Sequence, residues 1–218
     1  MKPLRIAIVG AESTGKSSLT QALAEVIRLR GHTVRTVDEV LRSWCESEGR
    51  TPHPHEQLGI ARTQALAVEQ IVSGWVISDT TPLMTAVYSH LLFEDERLYP
   101  MALAHQASYD ITLVTGLDLP WVADGLQRDG PHVRGPVDTL VRQALEREGI
   151  AYRVVYGQGP RRLNNALLAL GLECEDEAAH QIREQAQFAI NKGRTVWQCN
   201  ECSDPDCEHK LFTALLKS

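Results

Sequence analysis

The run Gly10-Ala11-Glu12-Ser13-Thr14-Gly15-Lys16-Ser17 sets two glycines, a lysine and a hydroxyl at G-x-x-x-x-G-K-[ST] spacing. That spacing suits a cradle for a polyphosphate. The glycines let the backbone turn tightly and aim successive N–H groups into one concavity, with no Cβ in the way. A helix beginning at the end of the run adds N–H groups without intrahelical partners and the positive end of its dipole. On this reading Gly10, Glu12, Ser13, Thr14, Gly15, Lys16, Ser17 and Ser18 hold ATP. Lys16 reaches the β- and γ-phosphates as a catalytic cation, and the Ser17 hydroxyl joins a Mg²⁺ shell.

Further charged groups follow apolar runs. Asp79 closes Trp75-Val76-Ile77-Ser78, the place from which a carboxylate can serve Mg²⁺, directly or through water. We expect metal or catalytic work of Asp79, the alternative being a cap on a helix starting near Pro82. Glu39 and Arg42 lie three apart after another apolar run. Either they form a surface ion pair, or Glu39 takes a proton or hydrogen bond from an acceptor hydroxyl while Arg42 holds a phosphate. The stretch from Gly116 to Gly135, rich in glycine, proline and charge, reads as a functional loop carrying Trp121, Asp124, Arg128 and Arg134. Arginines on a closing loop can neutralise charge on a transferred phosphoryl group, which makes Arg128 and Arg134 catalytic candidates. The alternative is a solvated loop with incidental charges.

Cys199, Cys202, Cys207 and His209 form a C-x-x-C-x₄-C-x-H cluster near the C-terminus. Three thiolates and an imidazole at that spacing can close a tetrahedral, structural Zn²⁺ shell. Reduced thiols or a redox pair are the alternatives. Cys45 and Cys174 complete an odd set of five, which speaks against a disulfide framework.

These groups need a frame, and the apolar pattern supplies one. Short β-branched runs at 5–9, 33–38, 75–79, 110–115 and 152–157 alternate with helical periodicities at 17–27, 56–72, 81–92, 97–108, 138–148 and 160–170. Strands separated by helices imply an α/β fold, a three-layer sheet of about five parallel strands with helices on both faces. Ligands of such sheets lie outside the C-terminal strand edge, where the glycine run and the carboxylates fall. We divide the 218 residues into a nucleotide-binding domain at 1–172 and a C-terminal helix and Cys/His tail at 173–218. The net charge of -6 argues against a general nucleic-acid surface. No apolar stretch is long enough to span a bilayer, and the first strand begins too early for a signal peptide, so a cytoplasmic protein is expected.

Glu39-x-x-Arg42, Gln64, Asp79-Thr80-Thr81 and Pro120-Trp121-x-x-Asp124-Gly125, taken with the glycine run, resemble the ribosylnicotinamide kinase domain of the bifunctional NAD-biosynthesis and regulator proteins. The resemblance covers roughly Leu4 to Leu172. It implies a P-loop NTPase fold and Mg²⁺-dependent transfer of the ATP γ-phosphoryl group to the 5′-hydroxyl of nicotinamide riboside. It places Glu39, Arg42, Trp121 and Asp124 in the nucleoside pocket, where an aromatic face suits a flat pyridinium ring. The adenylyltransferase motif and the DNA-reading segment of the multifunctional members are missing, so a stand-alone kinase is expected, its partners ATP and a nucleoside-like molecule. An ATPase or regulatory module with a partner-recruiting, zinc-bearing tail is the competing expectation.

Overall fold

A computed structural model describes residues 2–122 and 131–174 of the chain. Five strands form one sheet: β1 (Leu4–Val9), β2 (Val34–Val37), β3 (Trp75–Asp79), β4 (Ile111–Thr115) and β5 (Arg153–Val155), in the order β2-β3-β1-β4-β5. Every neighbouring pair is parallel. Among the described residues seven α-helices accompany them: α1 (Lys16–Leu29), α2 (Val40–Glu48), α3 (Gln57–Glu69), α4 (Pro82–Phe93), α5 (Tyr99–Gln106), α6 (Arg134–Arg147) and α7 (Gly159–Ala169). The expected three-layer architecture is present.

Alternation along β1 explains why both faces are covered. Ile6 and Ile8 point into one core with Leu19, Leu23 and Ile27 of α1 and Leu163, Ala166 and Leu167 of α7. Val9 points the other way, into a core built from α4, α5 and α6, and Ala7 packs with Val68 of α3. A central parallel strand buried on both sides must be apolar throughout. Each of Ile6 and Ile8, fully buried, stabilises the fold by about 1.5–3 kcal/mol.

One helix start departs from the sequence reading, and one open alternative is decided. Helix α6 begins at Arg134, preceded by a 3₁₀ turn at Pro131–Val133, four residues earlier than the periodicity implied. Pro136 is tolerated there because the first turn of a helix leaves its N–H groups without partners. Arg134 therefore opens a helix and does not lie in a loop. At α4 the cap is Thr81, whose hydroxyl accepts from the Leu83 N–H at 3.3 Å, and not Asp79. No helix among the described residues is long and apolar enough to cross a membrane.

Candidate active site

The glycine run leaves β1 and enters α1 as a tight loop with three unusual backbone conformations. Gly10 has φ 142°, Ser13 φ 53° and Gly15 φ 73°. At Gly10 the requirement is doubly strict, since a Cβ would stand 2.3 Å from Thr115 Oγ1. The loop's interior is fixed by side chains turned back on its own carbonyls. Ala11 O accepts from Thr14 Oγ1 at 2.7 Å and from Lys16 Nζ at 2.9 Å. Behind them the hydroxyls of Thr14 and Thr115 stand 2.6 Å apart. The Ser13 hydroxyl accepts the Val122 N–H at 2.7 Å, tying the segment after β4 to the loop. Ser17 is half-buried and Ser18 exposed at the start of α1.

Asp79 reaches the same edge because it pairs in register with Ile8, two residues before the loop starts. It is 5% exposed, and its Oδ1 has no hydrogen-bond partner among the described residues. Burial pushes its carboxyl above the usual range, and the Ser17 hydroxyl pulls it back. Glu39 adds to the rise, while Lys16 and Arg42 oppose it. The structure thus brings Lys16, Ser17, Glu39, Arg42 and Asp79 into one electrostatic cluster. A buried carboxylate oxygen without a donor, beside a serine hydroxyl, is a donor set that fits a hard divalent cation such as Mg²⁺.

The other side of the cluster is built from β2, α2 and α3. Glu39 ends the segment after β2 and is 7% exposed; Arg42 Nε and Nη2 both reach its Oε2 at 3.3 Å. The ion pair foreseen from spacing is therefore real, but it is half-buried and faces the site. Gln64 of α3 locks its position: its Oε1 accepts the Val40 N–H at 2.8 Å, and its Nε2 reaches Ser78 Oγ at 3.4 Å. Ser78 in turn donates to Thr80 O at 2.6 Å, holding Thr80 at φ 68°, a strained angle for a β-branched residue. That kink directs the chain from Asp79 into α4. Cys45, buried on α2, has its thiol pushed up to about 11 by burial and by Glu39, so it stays a protonated core residue.

Of the loop candidates, Trp121 is half-buried and Arg134 is 8% exposed, with its Nη1 donating to Leu119 O at 2.9 Å. Asp124 and Arg128 lie outside the described residues, as do Cys199, Cys202, Cys207 and His209. Among the described residues no group of three or more His, Cys, Asp or Glu could hold a metal by themselves. Two site residues escaped the sequence reading. Thr115 ends β4 with a hydroxyl against Thr14, and Arg162 of α7 donates from Nη2 to Thr14 O at 2.7 Å.

A family model for an AAA domain matches residues 5–162, which is most of the described fold and includes every element from β1 to the start of α7. The chain belongs to this AAA domain family. No curated protein matches it. Among solved structures, this AAA domain resembles the NadR protein in complex with NAD and AMP-PNP, with TM-score 0.63 and 21% identity, covering 80% of this chain and 51% of that one. A second NadR structure, in complex with NR, gives TM-score 0.62 and 21% identity over 80% of this chain and 54% of that one. The chain thus spans about half the length of the NadR chains. Deoxyadenosine kinase from M. mycoides with bound dCTP matches with TM-score 0.51 and 12% identity, covering 77% of this chain and 98% of that one. The likeness to NadR drawn from the sequence motifs recurs in three dimensions. The likeness is one of fold: the sheet and its helices are arranged as in NadR and in deoxyadenosine kinase.

Proposed function

We propose that the protein is an ATP-dependent kinase that phosphorylates the hydroxyl of a nucleoside-like acceptor, with nicotinamide riboside as the acceptor. The observation that carries this reading is the buried Asp79 carboxylate. It bonds Ser17 of the phosphate loop and feels the charges of the Glu39–Arg42 pair. A nucleotidase or a simple binding module needs only the first of these contacts. The second supplies a charged pocket where a hydroxyl acceptor would sit.

In this scheme the loop N–H groups and Lys16 hold the β- and γ-phosphates, and Lys16 exchanges its present acceptor, Ala11 O, for a phosphate oxygen. Ser17 and Asp79 would hold Mg²⁺, which offsets the charge of the phosphate oxygens when bound. Glu39 and Asp79 are the carboxylates within the cluster able to take the acceptor proton, and Arg42 holds Glu39 in place through their ion pair. Arg134, buried with Nε and Nη2 lacking described partners, suits an anion at the mouth of the loop, with Arg128 as a second cation. Trp121 and Asp124 are assigned to the nucleoside. The likeness to NadR with NR supports the choice of acceptor. On sequence spacing alone, the Cys199, Cys202, Cys207 and His209 cluster is proposed to hold a structural Zn²⁺, which metal analysis of protein purified without added zinc would test.

The test is ADP release from the full chain with Mg²⁺-ATP across a panel of nucleosides. Release that rises strongly with nicotinamide riboside supports the proposal. Nucleotide binding with only slow hydrolysis, indifferent to every nucleoside, identifies an ATPase or regulatory module instead.

A further inference from the structure

We infer that Arg162 is a positioning residue for the phosphate loop, aiming its backbone N–H groups from behind. The guanidinium is 5% exposed and makes a fork across three loops at the C-terminal edge of the sheet. Its Nη2 donates to Thr14 O at 2.7 Å and approaches Gly116 O at 3.4 Å. Its Nη1 donates to Gly157 O at 2.8 Å and to Asp118 Oδ1 at 3.1 Å. Asp118 closes the ring, because its Oδ2 accepts the Gly157 N–H at 2.6 Å.

Burying a guanidinium is expensive unless its donors are satisfied, and here three of the acceptors are backbone carbonyls of functional loops. The contact with Thr14 has a geometric consequence. In a trans peptide the C=O and the following N–H point in opposite directions. Holding Thr14 O toward α7 therefore turns the Gly15 N–H to the opposite, concave side of the loop. Gly15 sits at φ 73° and can adopt the opposite hand of backbone as readily, so its orientation is not secured by its own side chain. Arg162 supplies what glycine lacks. Gly157 is shaped for the same purpose: φ 103° leaves its N–H and C=O both facing the Asp118–Arg162 pair, and a Cβ would meet Arg162 N at 3.2 Å. The buried stripe of α7, Arg162, Leu163, Ala166 and Leu167, carries the side chain inward, whereas Arg161 is exposed.

This inference rests on the loop binding nucleotide phosphates and not on the identity of the acceptor. The test is calorimetric titration of the full chain with ADP and with AMP, in wild type and Arg162→Lys. Lysine keeps the charge but cannot span Thr14 O and Gly157 O together. ADP, whose β-phosphate occupies the cradle, should lose about tenfold or more in affinity, equivalent to about 1.4 kcal/mol. AMP should lose less than about threefold, about 0.65 kcal/mol on the same scale. Equal losses for the two nucleotides, or an unchanged ADP affinity, overturn the inference and leave Arg162 as a packing residue. If Arg162→Lys does not fold, the same comparison on Asp118→Asn decides, with the same two outcomes. Acceptor turnover does not enter this readout, so its result is independent of the kinase proposal.

Discussion

The hydroxyls of Thr14 and Thr115 meet at 2.6 Å although 101 residues separate them. Thr14 also donates to Ala11 O, and the Thr115 hydroxyl is a donor within reach of Val9 O at 3.3 Å as well, which makes a short chain of bonds from β4 into the phosphate loop. Thr115→Val keeps the shape and removes this donor. It should cost about 1–2 kcal/mol of stability and raise the KM for ATP, since a buried oxygen loses its partner. Chemical denaturation and steady-state kinetics check both; a variant with wild-type stability would show that the pair contributes nothing.

Lys16→Ala should reduce kcat by at least about 10²–10³-fold, the effect of deleting one preorganised charge-stabilising donor. It should also weaken ATP binding. The fold should survive, because in this structure Nζ makes a hydrogen bond to Ala11 O worth only about 1 kcal/mol. Circular dichroism and ATP titration separate the two effects, and unchanged turnover would defeat the assignment of the loop.

Asp79 links stability to function with opposite signs. Burial raises its folded pKa above the ordinary value of about 3.9, so its stabilising effect is complete below that pH and is lost as pH rises through the folded value. Asp79→Asn is neutral at every pH. The variant should therefore melt above wild type at pH 7, and the gap should close toward pH 3. Its Mg²⁺-dependent rate should fall far more than its nucleotide affinity. A variant less stable than wild type at pH 7 would contradict the sign.

Glu56 behaves in the reverse manner. The bidentate Arg50 guanidinium, at 2.7 and 2.8 Å, followed by the His53 N–H, lowers its carboxyl to about 2. Its contribution is present above the unfolded value and fades as pH drops toward 2. Glu56→Gln should lower Tm at pH 7 and match wild type near pH 2, as thermal melts across that range would show. A Tm difference independent of pH would assign the loss to packing.

The sheet was legible because its strands are buried on both faces and read as continuous apolar runs between turn signals. Lys16, Ser17, Glu39 and Asp79 were legible for a related reason: Asp79 ends β3, Glu39 stands two residues beyond β2, and Lys16 and Ser17 close the loop that leaves β1, so local sequence places each at the correct edge. The start of α6 was hidden by Gly135 and Pro136, which suggest a loop although a proline fits the first turn of a helix. Thr115 and Arg162 were hidden more deeply. Their roles are contacts with Thr14 from 101 and 148 residues away. Nothing in the adjacent pair Arg161-Arg162 announces which one turns inward.

Strand β1 stands between two sets of parts. Gly10 to Ser17 are backed by Thr115 and Arg162 from β4 and α7, whereas Glu39, Arg42 and Gln64 come from the β2 side. Asp79 on β3 lies between the two, bonded to Ser17 and within the field of Glu39 and Arg42. The acceptor half can therefore be rewritten, by substitutions on α2 and α3, without disturbing the half that grips the nucleotide. On the proposed function, a lineage carrying this sheet could change its acceptor one helix at a time while keeping its nucleotide.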